Sequence, residues 1–237
     1  MPGRSPASAR LRRGLVPVAV AATAVLGACG PFRRDPAPFP LAKPDSARLI
    51  AAGPDSFLVR FVTTKGEFHV KVHRDWAPRG ADRIYYLVRS RFYDSVAFFR
   101  VVNGRNGKPF VAQFGLNGDT AVGRAWRALR LTDDKPMKGN VRGTLSFAAG
   151  GANTRTTQIY INYGDNTRLD TLGFAVFGQV VRGMSTVVDS FHFGYGESAA
   201  GGPNQQNISR EGNAYLRKNF PLLDYVITAR VIKEWRR

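Results

Sequence analysis

The chain has 237 residues, 43% hydrophobic and 22% charged, which fits one medium-sized globular domain preceded by a leader. Lys and Arg total 35 against 17 Asp and Glu, a formal charge of +18 that favours polyanionic surroundings: nucleic acid, anionic lipid headgroups or acidic polymers. A single cysteine, Cys29, excludes an intramolecular disulfide, so the fold rests on its core.

Residues 1–13 are basic, residues 15–26 are apolar or small, and Leu26-Gly27-Ala28-Cys29 closes the run. The run is too short to span a bilayer comfortably and reads as a secretory leader over 1–28. Leu-Gly-Ala-Cys resembles the lipobox of bacterial lipoproteins, which implies cleavage before Cys29 and a lipid on that residue. The plainer reading is a signal peptide with a chance cysteine near its cleavage site. Four cations precede Cys29 and no acids do, leaving 31 cations against 17 acids, a net +14. Export argues against nucleic acid as the partner of this charge. The expected setting is the bacterial cell envelope, with the chain lipid-anchored and facing the periplasm or the outer side of the membrane. Residues 29–44 carry Pro31, Pro36, Pro38, Pro40 and Pro44 and predict an extended tether. The domain is expected over 45–237.

Residues 57–63 and 67–73 alternate with a period of two, and Thr64-Lys65-Gly66 predicts a tight turn between two strands. His69 and His73 fall on one face of the second strand and read as solvent-facing rather than as a metal pair, because His192 is far along the chain. Ala77-Pro78 opens a helix with Ile84, Leu87 and Val88 as its buried stripe, ending over 89–93. Residues 97–102 and 110–114 read as short apolar segments joined by a Gly/Asn/Pro-rich bend. Arg100 lies among apolar neighbours, where a cation is costly to bury, unless its stem snorkels at a strand edge. Phe110 and Gln113 supply an aromatic surface and a neutral amide close by. Residues 115–134 predict an extended surface loop, 143–149 a strand and 150–156 a loop. Residues 158–162 predict a strand with Gln158 and Tyr160 on one face, and 173–181 another. Residues 182–191 predict a second short helix with Met184, Val187, Val188 and Phe191 on its apolar side. The turn-rich stretch 194–220 is long enough to be a local elaboration, and 222–232 is a closing strand. Asp133, Asp134, Asp165 and Asp170 read as turn and cap residues. Nothing matches a P-loop, a Rossmann fingerprint or a zinc site, so neither a cofactor nor a metal is expected.

Phe98-Phe-Arg-Val-Val102 followed by Phe110-Val-Ala-Gln-Phe-Gly115 resembles the signature of cyclophilin-type peptidyl-prolyl isomerases. The Gly143-Thr-Leu-Ser-Phe-Ala-Ala, Gln158-Ile-Tyr-Ile, Leu169-Asp, Phe174-Ala-Val-Phe-Gly and Gly183-Met-Ser-Thr-Val-Val elements resemble further family motifs, in the same order. The resemblance covers about 57–191 and implies a mainly β fold, a closed antiparallel β-barrel capped by two α-helices. It also implies that the chain isomerises Xaa-Pro bonds, here in exported polypeptides, and that it acts as a monomer.

By the same resemblance, Arg100, Phe110 and Gln113 are the catalytic residues. Val111, Ala148, Ala149, Gln158, Tyr160, Leu169 and Phe174 are the substrate-binding residues. Several of these depart from the family pattern: Val111 replaces a Met, Ala149 an Asn and Tyr160 a Phe. Arg168 stands where a Trp often sits, which puts cyclosporin binding in doubt, and Phe174 aligns only loosely with a His. Residues 105–109 look like an insertion at the edge of the cup. These departures support an alternative, a catalytically weak binding module or chaperone for proline-containing chains. A third reading, a basic barrel for an anionic envelope polymer, uses the charge but leaves the motifs unexplained.

Overall fold

A computed structural model describes residues 37–104 and 107–236, together with Met1 and Gly3. Cys29 and most of the expected leader and tether lie outside the described residues, as do Arg105 and Asn106 of the expected insertion. The chain divides into Met1–Pro36 and Ala37–Arg237, and the fold described here is that of the second unit.

Alternation produces the strands. In β1 (Ser56–Thr63), Phe57, Val59 and Phe61 face inward, and in β2 (Gly66–His73), Phe68, Val70 and Val72 do the same. Gly66, at φ 124°, makes the tight turn between them. The outward positions of β2 carry both histidines: His69 lies 2.6 Å from Glu67, while His73 stacks on Trp76. The remaining strands are β3 (Arg100–Asn103), β4 (Pro109–Phe114), β5 (Thr144–Phe147), β6 (Ile159–Asn162), β7 (Val176–Arg182) and β8 (Val226–Trp235). They form one sheet in the order β3-β4-β6-β5-β7-β2-β1-β8, antiparallel at every pairing. The chain leading into β3 meets the chain leading into β8 at one bridge, Ala97 to Tyr225, flanked by backbone bonds from Phe98 to Asp224 and from Val226 to Val96.

Aromatic rings fill the core against the inward face of the sheet. Phe61 stacks on Phe68, and Phe98 stacks on Phe191 with centroids 4.0 Å apart. A short helix α1 (Ser46–Leu49) is capped by Asp45, and α2 (Pro78–Arg89) buries Ile84, Leu87 and Val88 as its stripe predicts. Ala77 has no side chain with which to cap α2. Asp134 does so from a distant loop, accepting from the N–H groups of Arg79 and Gly80 at 3.0 and 2.8 Å. The fully buried Arg155 pairs with Asp133 and Asp134, tying the loop beneath that helix end.

Four expectations change. Residues 115–134 are not wholly an extended loop, because α3 (Thr120–Arg127) forms there. Asp119 caps it by accepting from Ala121 and Val122, while Val122 and Trp126, one turn apart, are buried. Residues 182–191 are not an α-helix: after β7 the backbone runs through turns into a 3₁₀ turn at Val188–Ser190. Its expected apolar residues do pack inward, but the β-branched run Thr186-Val187-Val188 is a poor helix former. Residues 37–44 are not a free tether. Phe39 and Leu41 pack against the core, and the carbonyl of Leu41 accepts from the Trp126 indole at 2.9 Å.

The stretch 194–220 is more ordered than a turn-rich loop. It holds α4 (Gln205–Glu211), capped by Asn204, and α5 (Asn213–Asn219). Ile208, Leu216 and Phe220 from this region join Ala97, Phe99 and Leu223 in a second small apolar cluster.

Candidate active site

Cross-strand register assembles the site. Arg100 on β3 stands opposite Gln113 on β4, Gln113 opposite Tyr160 on β6, and Tyr160 opposite Ser146 on β5. A second row pairs Val102 with Val111. Because side chains alternate along a strand, Val101, Ala112, Phe114 and Ile161 enter the main core while this set faces the other way.

Val102, Val111, Tyr160 and Leu169 form a separate buried cluster, with Phe110, Ala148 and Phe174 packed against it. Arg100, Phe110, Val111, Gln113, Ala148, Ala149, Tyr160, Leu169 and Phe174 all line one cavity of about 330 Å³. Gln158 does not line that cavity. Its amide oxygen accepts from Gln113 Nε2 at 2.8 Å, so it orients Gln113 from behind.

The polar edge of the cup is a chain of hydrogen bonds. Arg100 Nη1 donates to Gln113 Oε1 at 3.0 Å, Gln113 to Gln158, and Gln158 Nε2 to Gln205 Oε1 at 3.1 Å. Accepting from Arg100 fixes which end of the Gln113 amide faces which way. The Arg100 guanidinium also sits 5.6 Å from the Phe110 ring centroid, within cation–π range, and Arg168 sits 5.0 Å from the same ring.

The phenol of Tyr160 is almost fully buried, and burial pushes its pKa up. Its hydroxyl donates to Asn140 Oδ1 at 3.0 Å, where Ser146 and Asn162 also donate. Asn140, itself fully buried, donates in turn to Asp170 and to the Phe174 carbonyl. A network of this kind fixes the floor of the cup.

Sequence reasoning missed three participants. Asn140 carries no motif. Glu197 and Gln205 come from the elaboration, about a hundred residues after Arg100. Glu197 accepts from Arg100 Nε at 2.8 Å and from Nη2 at 2.5 Å. Hydrogen bonds from Arg100 hold the Glu197 carboxyl below its ordinary pKa, against a smaller opposing effect of burial. Gly196, Glu197, Ser198, Pro203 and Gln205 line the cavity opposite the sheet.

A larger cleft of about 550 Å³ adjoins across Gln205, with Arg124, Arg127 and Arg210 on its walls. The smaller cavity is the better candidate for chemistry. It joins apolar rings to a guanidinium held by an amide, whereas the larger cleft is rimmed by exposed cations.

Among the described residues, no group of three or more His, Cys, Asp or Glu side chains is placed to hold a metal ion, and no helix is long and apolar enough to cross a membrane.

Comparison with known proteins gives concordant results. Residues 58–201 match the family described as cyclophilin type peptidyl-prolyl cis-trans isomerase/CLD. The human peptidyl-prolyl cis-trans isomerase-like 3 is 30% identical over 130 residues, covering 53% of this chain and 76% of that protein. A peptidyl-prolyl cis-trans isomerase of Acinetobacter baylyi is 29% identical over 135 residues, covering 55% and 69%. Among solved structures, a cyclophilin type isomerase of Cryptosporidium parvum superposes with a TM-score of 0.54 at 18% identity, over 76% of this chain and 99% of that one. The same parasite protein crystallised in the presence of the dipeptide Ala-Pro gives 0.53 over 75% and 99%, again at 18% identity. At that identity the structural likeness speaks for the fold.

Proposed function

Because this chain belongs to the family of cyclophilin-type peptidyl-prolyl cis-trans isomerases, we propose that it isomerises Xaa-Pro bonds of exported polypeptides in the bacterial cell envelope, anchored by a lipid on Cys29. The sheet is read as a barrel that closes through the Ala97–Tyr225 bridge. The observation that carries the reading of the site is the Arg100–Gln113 pair, bonded at 3.0 Å on the rim of an apolar cup.

The reaction needs neither a nucleophile nor a general base. Rotation about an amide breaks its resonance and meets a barrier of roughly 18–20 kcal/mol. An Xaa-Pro bond left alone exchanges over roughly tens to hundreds of seconds. Catalysis follows if the site holds the twisted amide more tightly than the planar one. In the twisted form the prolyl nitrogen becomes pyramidal and gains a lone pair. An Arg100 N–H donates to that lone pair and so opposes the return of resonance. Gln113, a neutral amide, holds a substrate carbonyl without competing for protons. Phe110, Val111, Tyr160, Leu169 and Phe174 grip the proline ring while the preceding residue swings.

A catalytically weak binding module remains the second reading, and the Glu197 carboxylate on Arg100 favours it. Mixing the full chain with a blocked Ala-Pro peptide and following cis-to-trans relaxation separates the two. A rate constant that rises in proportion to protein concentration supports the enzyme. Relaxation no faster than in buffer, with the peptide bound, supports the module.

A further inference from the structure

We propose that Glu197 is an internal competitor for Arg100: its carboxylate holds the guanidinium until a substrate displaces it. The inference rests on the isomerase reading above and concerns the control of that same site.

A guanidinium presents five N–H donors. In this site the edge formed by Nε and Nη2 is taken by the two Glu197 oxygens, and Nη1 is turned to Gln113. A carboxylate is a far stronger acceptor than a prolyl nitrogen, and the bidentate arrangement adds to its hold. While it is docked, the charge meant for the twisted amide is largely neutralised. Among the described residues, Glu197 is the one carboxylate paired with Arg100.

The element that carries Glu197 is built to leave. It lies outside the sheet, between Gly196 at φ 68° and a 3₁₀ turn, Ser198–Ala200, that ends at Gly201 with φ 91°. No residue of that 3₁₀ turn is buried. Among the described residues, the other hydrogen bonds of Glu197 to Gly201 stay within 197–204, so Arg100 is what ties this turn to the sheet. Swinging it away disturbs no strand pairing, and because Gly196 and Ser198 line the cavity, release also opens the cup. The pair is half in water, with the Glu197 side chain 49% exposed and that of Arg100 22%. Solvent-exposed pairs are weak enough for a bound polypeptide to displace and are weakened further by salt.

The test compares wild type with Glu197→Gln as full chains, using a blocked Ala-Pro peptide without charge, at low and high ionic strength. The expected result is a kcat/KM for the variant roughly two- to five-fold above wild type at low salt. Added salt should raise wild type toward the variant and leave the variant flat. A variant equal to or slower than wild type, with an unchanged unfolding midpoint, overturns the proposal. Should the variant fail to fold, the wild-type salt response decides, and a rate that does not rise with salt overturns it. If wild type does not accelerate isomerisation at all, the isomerase reading fails separately. Calorimetric binding of the same peptide then decides: tighter binding to Glu197→Gln keeps the competitor, and equal or weaker binding removes it.

Discussion

Arg100 and Gln113 are thirteen residues apart in the chain yet directly opposite across two strands. Register converts a spacing in sequence into a contact, and this part of the site is legible to anyone who aligns the two strands. Tyr160 was legible in a weaker sense. A hydroxyl where the family carries a phenyl ring is tolerable only with a partner, and the sequence did not name one. The partner, Asn140, lies twenty residues away in a segment without motif or periodicity. Asn140 Oδ1 keeps two other donors when that hydroxyl is removed. Tyr160→Phe should therefore lose only about 1 kcal/mol of stability and leave kcat/KM within about two-fold. Urea unfolding alongside the peptide assay measures both. A loss of activity beyond ten-fold would mean that the hydroxyl touches substrate.

At the scale of elements, period-two alternation identified β1 and β2 because their inward positions are apolar up to Thr63 at the end of β1. Helices were harder. The α3 segment has a capping Asp119 and an i, i+4 apolar pair, but three glycines within 115–123 make the stretch read as loop. The segment after β7 has a helical stripe of apolar residues yet ends in a 3₁₀ turn, since side-chain pattern constrains the backbone only loosely in so short a run. Proline density hid the docking of 37–44, where Phe39 and Leu41 override an extended preference by packing on the core. Phe39 N–H also donates to the Arg89 carbonyl at 3.0 Å, and the Tyr86 hydroxyl to the Pro40 carbonyl at 3.3 Å. A chain beginning at Asp45 should accordingly be less stable than one beginning at Ala37 by about 2–4 kcal/mol, from two half-buried apolar side chains and the bonds beside them. The denaturant midpoint of the two chains is the measurement. Equal midpoints would show these contacts to be idle.

At the scale of the whole molecule, charge and N-terminus speak to setting. The surplus of cations suits an anionic membrane surface, where each basic residue near the headgroups contributes roughly 1 kcal/mol. If the lipid on Cys29 is the anchor, Cys29→Ser should move the chain from the membrane fraction to the soluble fraction, or leave it in the membrane with its leader uncut. Retention in the membrane with a normally cleaved leader would place the anchor elsewhere. The elaboration 194–220 was recognisable as an addition, but its reach into the cup was not. Contacts such as Arg100 to Glu197, 97 residues apart, follow from tertiary packing and not from local pattern.

The central claim is that a positioned Arg100 lowers the barrier to Xaa-Pro rotation in this cup. The most direct test is the kcat/KM of Arg100→Ala against wild type on a blocked Ala-Pro peptide, with folding checked by circular dichroism. Losing a preorganised donor to the transition state should lower the rate by roughly two to three decades, about 3–4 kcal/mol, while the fold is kept. A folded variant that isomerises the peptide as fast as wild type would contradict the account.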